Sequence, residues 1–125
     1  MSTRAKILVV DDETFHSDNI RAEVIRIDQN VEVVVESTKE KAMQIIDAML
    51  SELLAVITDL NLTPNGKEGF EIAIKAKQAG IPNVVIHTSE DDTKTQMFTV
   101  KNDVELWSKG ANSQNLVTLL GRNLV

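Results

Sequence analysis

Short hydrophobic runs alternate in this chain with longer segments in which hydrophobic residues recur every three or four positions. The most continuous run, residues 54–60, lies between turn-forming segments and is typical of a strand that is buried on both faces. Four further runs, rich in β-branched residues, predict strands at 6–10, 31–36, 84–87 and 104–107. The spacing of the hydrophobic residues predicts one helix after each strand, and the helical pattern is weakest over the polar segment 90–102.

Strands that alternate with helices predict an α/β fold with a doubly wound, five-stranded parallel sheet, in a single domain over residues 1–125. Ser37 and Glu40 have the spacing of a capping box and predict the start of the second helix. Gly80 predicts the end of the third helix. The three phenylalanines are expected in the core: Phe15, Phe70 and Phe98.

Composition narrows the functional classes. Hydrophobic residues make up 42% of the chain and charged residues 26%, as in an ordinary globular protein. The net charge of −6 argues against a nucleic-acid-binding surface. The chain has no cysteine and no hydrophobic run long enough to span a bilayer, so disulfide chemistry and membrane insertion are not expected. We therefore expect a cytoplasmic protein.

Polar residues stand where four of the predicted strands end. In chain order they are Asp11 with Asp12, Asp59, Thr88 and Lys109. Because the carboxyl ends of parallel strands form the ligand crevice of open α/β sheets, these side chains are expected to meet there.

Three carboxylates that meet in one crevice repel one another, and a hard divalent cation removes the conflict. Asp12 and Asp59 are candidates for direct Mg²⁺ ligands, and Asp11 for a ligand through water. An ammonium from Lys109 and a hydroxyl from Thr88 complete a clamp for the oxygens of a phosphoryl group. Asp59 is then a plausible nucleophile, since aspartyl phosphates are known intermediates.

These motifs resemble the receiver domain of bacterial two-component response regulators over essentially the whole chain. The resemblance rests on Asp11-Asp12-Glu13 after the first strand, residues 57–60, residues 85–89 and Lys109. It implies a flavodoxin-like (βα)5 fold with strand order 2-1-3-4-5. It also implies that Asp59 is the phosphoacceptor and that Thr88 and Lys109 contact the phosphoryl group. Asp11 and Asp12 are then expected to hold Mg²⁺ together with the backbone carbonyl of Asn61.

The resemblance further implies a phosphorylation-switched signalling protein, either stand-alone or cut from a larger regulator. The expected phosphoryl donor is a phosphohistidine on a histidine kinase or histidine phosphotransfer protein, and the downstream target is an unknown protein. Such a chain assists its own phosphorylation and dephosphorylation without being a conventional enzyme. Asn61 and Glu90, two positions after Asp59 and Thr88, are expected to flank the approach of water, which predicts a short-lived phosphoryl group.

The chain departs from the family pattern at several positions. The loop after Asp59 is about two residues longer than usual, and Gly110 stands where the family has proline after the lysine. Leu106 replaces the aromatic residue that switches in many receivers, so that step is expected to be weakened or carried by Trp107. His16 is expected to be structural or solvated, and His87 to be a structural, packed histidine with its polar atoms bonded.

Three alternatives stay open. A Mg²⁺-dependent aspartyl-phosphate hydrolase commonly needs a second acid two positions after the nucleophile, where this chain has Asn61. A flavin or nucleotide binder would need a glycine- or hydroxyl-rich loop after the first strand instead of Asp11 and Asp12. A pseudo-receiver that only binds partners would not need the full set of acids, threonine and lysine.

Overall fold

The computed structural model describes residues 4–90, 92–110 and 112–122, in which five strands alternate with five helices. The strands are β1 (Lys6–Val10), β2 (Glu32–Glu36), β3 (Leu53–Asp59), β4 (Asn83–Thr88) and β5 (Glu105–Ser108). The helices are α1 (Thr14–Ile27), α2 (Lys39–Ala48), α3 (Glu68–Gln78), α4 (Thr93–Asn102) and α5 (Ser113–Arg122). Every predicted strand is present, and no strand end differs from its predicted position by more than one residue.

The strands form one parallel sheet in the order β2-β1-β3-β4-β5. This confirms the predicted fold class and strand order. Strand β3 lies at the centre and all seven of its residues are buried, as its uninterrupted hydrophobic sequence predicts. Its carboxyl end places Asp59 between β1 and β4.

The helices cover both faces of the sheet, and each face has its own core. On one face, β-strand residues such as Val56 and Ile86 pack with Ile46 of α2 and Ile72 of α3. On the other face, residues such as Ile57 and Val85 pack with α1 and α5. Because side chains alternate between the faces along each strand, neighbouring residues at a strand end contact different helices.

The start of α2 and the end of α3 can be compared with the cap residues predicted from the sequence. The side chain of Thr38, not of Ser37, caps α2: its Oγ1 accepts a hydrogen bond from the backbone N–H of Lys41 at 3.3 Å. The predicted cap was therefore wrong by one position, because threonine serves equally well and the helix begins at Lys39. Gly80 ends α3 as predicted, with φ +80°.

Helix α4 is held mainly by small polar residues. It buries the side chains of Thr95 and Thr99, while Met97 and Val100 are 67% and 83% exposed. Asp92 caps the helix by accepting a hydrogen bond from the backbone N–H of Thr95 at 2.8 Å. Met97 and Val100, two of the hydrophobic residues on which the weak helix prediction rested, thus lie outside the core.

The three phenylalanines differ in environment. Phe70 of α3 and Phe98 of α4 stack with ring centroids 4.2 Å apart and an angle of 28° between the rings, against the core. Phe15 is 69% exposed, so its predicted core position was wrong. It lies off the buried face of α1, which carries Ser17, Ile20 and Val24. Among the described residues, no helix is both long and apolar enough to cross a membrane.

Candidate functional site

The carboxyl ends of four strands meet at one edge of the sheet. In the sheet register, Val10 pairs with Thr58, and Asp59 pairs with His87. A cleft of about 280 Å³ opens at this edge. The residues that line it include Asp12, Glu13, Asp59, Asn61, Thr88, Glu90 and Lys109. We call this site the acidic cleft.

Lys109 joins two of the predicted acids beneath the acidic cleft. Its Nζ lies 3.1 Å from Asp59 Oδ2 and 3.3 Å from Asp11 Oδ2. The side chains are nearly buried, with 11% of Lys109, 8% of Asp59 and 1% of Asp11 exposed. The ammonium therefore offsets the repulsion between two carboxylates that are shielded from water.

Burial and neighbouring charges shift the pKa values of this group. Burial raises the pKa of Asp59 to about 6, against the opposing effect of its hydrogen bond to Lys109. The negative charge of Asp11 raises it further. Burial disfavours the Lys109 ammonium, but the hydrogen bond to Asp59 and the charges of both carboxylates outweigh this and raise the pKa of Lys109. Asp59 is thus mainly ionised at neutral pH and next to a permanent cation.

Asp11, Asp12 and Glu13 bring carboxylate oxygens within 4.8 Å of one another. Asp11 is committed to the protein, since Oδ1 accepts from the backbone N–H of Glu13 at 2.9 Å and Oδ2 faces Lys109. Asp12 and Glu13 are exposed in the acidic cleft. Asp11 and Asp12 were predicted as ligands but Glu13 was not, although Glu13 belongs to the same Asp-Asp-Glu triplet and lies beside them.

Thr88 ends β4 at the rim of the acidic cleft, opposite Lys109. Its hydroxyl oxygen accepts a hydrogen bond from the backbone N–H of Glu90 at 3.0 Å. Its carbonyl oxygen accepts from the backbone N–H of Lys109 at 3.1 Å. A hydroxyl that accepts one bond can still donate its hydrogen to a ligand oxygen.

Asn61 lies in the acidic cleft, but its side chain is engaged. Its Nδ2 donates to Glu90 Oε1 at 2.6 Å, and its Oδ1 accepts from the backbone N–H of Lys67 at 3.2 Å. Glu90 Oε2 lies 2.6 Å from Lys67 Nζ. The prediction of a short-lived phosphoryl group assumed that Asn61 and Glu90 were free to bind water, whereas each is bonded to the other.

The longer loop after Asp59 is held by Glu68, the first residue of α3. Glu68 Oε1 accepts from the backbone N–H of Leu62 at 3.0 Å, and Oε2 accepts from the Thr63 hydroxyl. Gly69 then packs against β3, where an added Cβ would lie 2.7 Å from Leu60 Cα and would also collide with the Asp59 carbonyl. This contact fixes the backbone that carries Asp59.

Solved structures similar to this chain are receiver domains. A response regulator receiver domain protein from Clostridium thermocellum superposes with a TM-score of 0.79 at 26% identity, covering 96% of this chain and 94% of its own. A CheY-like receiver domain protein from Methanospirillum hungatei gives a TM-score of 0.78 at 19% identity, with 97% and 94% covered. The fold is that of a response regulator receiver domain. No protein-family model and no curated protein sequence matches the chain.

A third similar structure is the phosphorylated cyanobacterial phytochrome response regulator RcpA. It superposes with a TM-score of 0.74 at 22% identity, covering 95% of this chain and 91% of its own. The chain is thus similar to these structures in fold, although the sequence identity is low.

Two departures of this chain from the receiver pattern have structural explanations. Gly110, where proline was expected, has φ +139°, which the proline ring cannot adopt. Leu106 packs on the α3 and α4 face, but Trp107 is 5% exposed in the core beneath α1 and α5. The ring of Trp107 thus lies on the opposite side of the sheet from α4, which favours the other expectation, that the switching step is weakened.

His87 also faces the α1 and α5 side of the sheet. It is 3% exposed, and its Nε2 lies 2.8 Å from the Asn112 amide nitrogen. Burial lowers the pKa of His87 to about 4, and the charge of Lys109 adds to the effect. This neutral, bonded state agrees with the predicted structural role.

Proposed function

We propose that the chain is a phosphorylation-switched signalling receiver that accepts a phosphoryl group on Asp59. The observation that carries the proposal is the position of the Asp59 carboxylate in the acidic cleft, 3.1 Å from the Lys109 ammonium. An ionised carboxylate in this position can attack phosphorus while Lys109 stabilises the phosphoryl oxygens. The receiver fold of the similar structures supports this chemistry.

The proposed donor is a phosphohistidine on a histidine kinase or a histidine phosphotransfer protein. An Asp59 oxygen forms a bond to phosphorus as the bond from phosphorus to the imidazole nitrogen breaks. The imidazole leaves with the electron pair and ends neutral. The products are an aspartyl phosphate and the free histidine, so the chain acts as an acceptor and regains its starting state when the aspartyl phosphate is hydrolysed.

The donor set of the acidic cleft fits Mg²⁺. The carboxylates of Asp12 and Asp59 and the backbone carbonyl of Asn61 are the hard oxygen ligands that this ion prefers, and Asp11, whose oxygens are bonded within the protein, would act through water. Glu13 joins the candidates because it lies within the same cluster. When bound, the ion supplies positive charge that offsets the charge of the phosphoryl oxygens and of the acids.

Thr88 connects the proposed chemistry to a change of shape. If its hydroxyl donates to a phosphoryl oxygen, its bond with the backbone of Glu90 changes, and Glu90 leads into α4. Helix α4 buries few hydrophobic side chains, which supports its role as the element that responds. The proposed output is a changed α4 surface that an unknown target protein recognises.

Intact-mass analysis after incubation with acetyl phosphate and Mg²⁺ tests the proposal. The wild-type chain should gain one phosphoryl group, and chelation of Mg²⁺ with EDTA should prevent the gain. Asp59→Asn should not be labelled, since an amide is a poor nucleophile, while the exposed Asp18→Asn serves as a matched control and should label normally. Full labelling of Asp59→Asn would refute the assignment.

A further inference from the structure

Asn61, Lys67 and Glu90 form a closed set of polar contacts, which we call the loop network. The Asn61 amide donates to one Glu90 oxygen at 2.6 Å, and the Lys67 ammonium lies 2.6 Å from the other. The backbone N–H of Lys67 closes the set by donating to Asn61 Oδ1 at 3.2 Å. The network joins the loop after β3 to the loop after β4 across the acidic cleft.

The loop network binds both oxygens of Glu90. The two charged side chains are about one-third exposed, so salt in the solvent can screen the pair. Each oxygen of Glu90 thus already has a protein partner, which holds the side chain in one position.

Lys67 reaches Glu90 from an unusual backbone position. It is the residue before α3 and adopts the left-handed conformation, with φ 57° and ψ 26°. Such a conformation is unfavourable for a residue with a side chain and persists where neighbouring contacts enforce it. Here the bond from its N–H to Asn61 and the loop before α3 hold it, so the placement of the ammonium is built into the longer loop.

The loop network is also attached to the residues proposed to hold the phosphoryl group. Asn61 and Glu90 line the acidic cleft together with Asp59 and Thr88. The backbone N–H of Glu90 donates to the Thr88 hydroxyl at 3.0 Å. A change in the network therefore changes the groups beside the proposed aspartyl phosphate without altering Asp59 or Lys109.

We propose that Lys67 is a positioning residue that prolongs the phosphorylated state by holding Asn61 and Glu90 together, away from the attacking water. The inference rests on the proposed function of Asp59. In the hydrolysis, a water oxygen forms a bond to phosphorus, the bond from phosphorus to Asp59 breaks, and the carboxylate leaves with the electron pair. The proton released from water passes to a base, and inorganic phosphate is the product. Without Lys67, the side chains of Asn61 and Glu90 are free to hydrogen-bond this water and orient it towards phosphorus.

The decay of the phosphorylated chain at fixed Mg²⁺, after the donor has been removed, tests this inference. Lys67→Met should decay about fivefold faster than wild type, because the cation that restrains Glu90 is gone. Lys67→Arg keeps the cation and should stay near the wild-type rate. Lys75→Met removes an ammonium of the same helix region that pairs with Asp47, away from the acidic cleft, and should leave the decay unchanged.

Salt provides a readout that a purely structural role would not move. Raising the salt from about 0.1 M to about 1 M should bring wild-type decay towards the Lys67→Met rate, because the Debye length falls from about 10 Å to about 3 Å. The decay rate of Lys67→Met should depend on salt no more than that of the double variant Lys67→Met with Glu90→Gln, which has neither charge of the pair. Circular dichroism would show that each variant is folded.

The outcomes separate the two proposals. If wild type labels but Lys67→Met decays at the wild-type rate or more slowly, the role of Lys67 is refuted and the function of Asp59 stands. If Lys75→Met accelerated the decay of the phosphorylated chain equally, the role of Lys67 would also be refuted, since loss of any positive charge would then explain the faster decay. If wild type does not label with acetyl phosphate and Mg²⁺, the proposed function fails and the inference fails with it.

Discussion

Lys109 Nζ lies 3.1 Å from Asp59 Oδ2, and both side chains are almost shielded from solvent. The same ammonium faces Asp11, so one cation compensates two carboxylates. A buried charge that loses its partner is strongly destabilising, even where the intact pair contributes little. The stability of the fold and the proposed chemistry therefore depend on the same lysine.

Lys109→Met should lower the free energy of unfolding by about 3 kcal/mol near neutral pH without Mg²⁺, because two buried carboxylates are left facing each other. It should also slow labelling by acetyl phosphate. Urea unfolding and intact mass measure the two effects. Lys75→Met, which breaks an exposed pair with Asp47, should cost less than about 1 kcal/mol and label normally. Equal losses in the two variants would contradict the role of Lys109.

Asp59 and His87 should give opposite pH dependences of stability. The pKa of Asp59 is raised from 3.8 to about 6, so its folded form gains protons first and stability rises as pH falls through this window. The pKa of His87 is lowered from 6.5 to about 4, so the unfolded chain gains protons first and stability falls over nearly the same window. Each shift corresponds to about 3 kcal/mol at most.

The two effects should nearly cancel in the wild-type chain between about pH 6.5 and about pH 4, measured by urea unfolding without Mg²⁺. Asp59→Asn should lose stability as the pH falls, because only the His87 effect remains. His87→Gln, which keeps an acceptor for the Asn112 amide, should gain stability relative to wild type. Parallel curves for the three proteins would show that neither group is shifted as described.

The acidic cleft predicts unequal effects on Mg²⁺ affinity. Asp12→Asn should weaken binding by about tenfold or more, since it removes a candidate direct ligand. Glu13→Gln should have a smaller effect, because Glu13 is 64% exposed and lies 3.9 Å from His16. Isothermal titration calorimetry measures both, with the exposed Glu52→Gln as control. A larger loss for Glu13→Gln would reverse the proposed order of the ligands.

A phosphoryl mimic should change hydrogen exchange mainly in the segment 89–102. Beryllofluoride with Mg²⁺ is expected to draw the Thr88 hydroxyl inward and shift α4, which buries few hydrophobic side chains. Trp107 fluorescence should change little, since the ring packs on the opposite face of the sheet. Asp59→Asn with the same mimic is the control. Exchange differences confined to α2 would argue against this route.

Gly69→Ala should destabilise the fold by about 2 kcal/mol, because the added methyl group collides with the backbone of Asp59 and Leu60. Labelling of Asp59 should slow as well, since its backbone must move. Gly121→Ala is a matched control within α5, where an added Cβ has no neighbour within 4 Å among the described residues. There helix propensity predicts a gain of up to about 1 kcal/mol. Thermal unfolding distinguishes the two, and a neutral Gly69→Ala would show that the contact is easily relieved.

The sequence predicted the parallel sheet because its strands carry uninterrupted hydrophobic runs and its turns carry glycine. Asp11, Asp59, Thr88 and Lys109 could be placed together because each directly follows or ends a strand, and parallel strands end at one edge. Their separate roles remain predictions. The core position predicted for Phe15 followed from hydrophobic character alone, whereas the spacing of Ile20 and Val24 places Phe15 off the buried face of α1.

The loop network shows why other features escape such reasoning. Lys67 and Glu90 are distant in sequence and lie in different loops, and no local pattern requires them to pair. The face of the sheet on which Trp107 lies depends on the register of β5. A shift of β5 by one residue would exchange the faces of Leu106 and Trp107. Features set by strand register and loop path therefore require coordinates.

The stacked rings of Phe70 and Phe98 link α3 to α4 on the face that carries Leu106. A flat aromatic contact of this kind resists separation but permits sliding in the plane of the rings. A displacement of α4 that starts at Thr88 should therefore slide Phe98 across Phe70 and change the offset between the two helices. A target protein would then recognise a surface formed by α3 and α4. The offset between these two helices, rather than the position of one helix alone, would depend on whether Asp59 is phosphorylated.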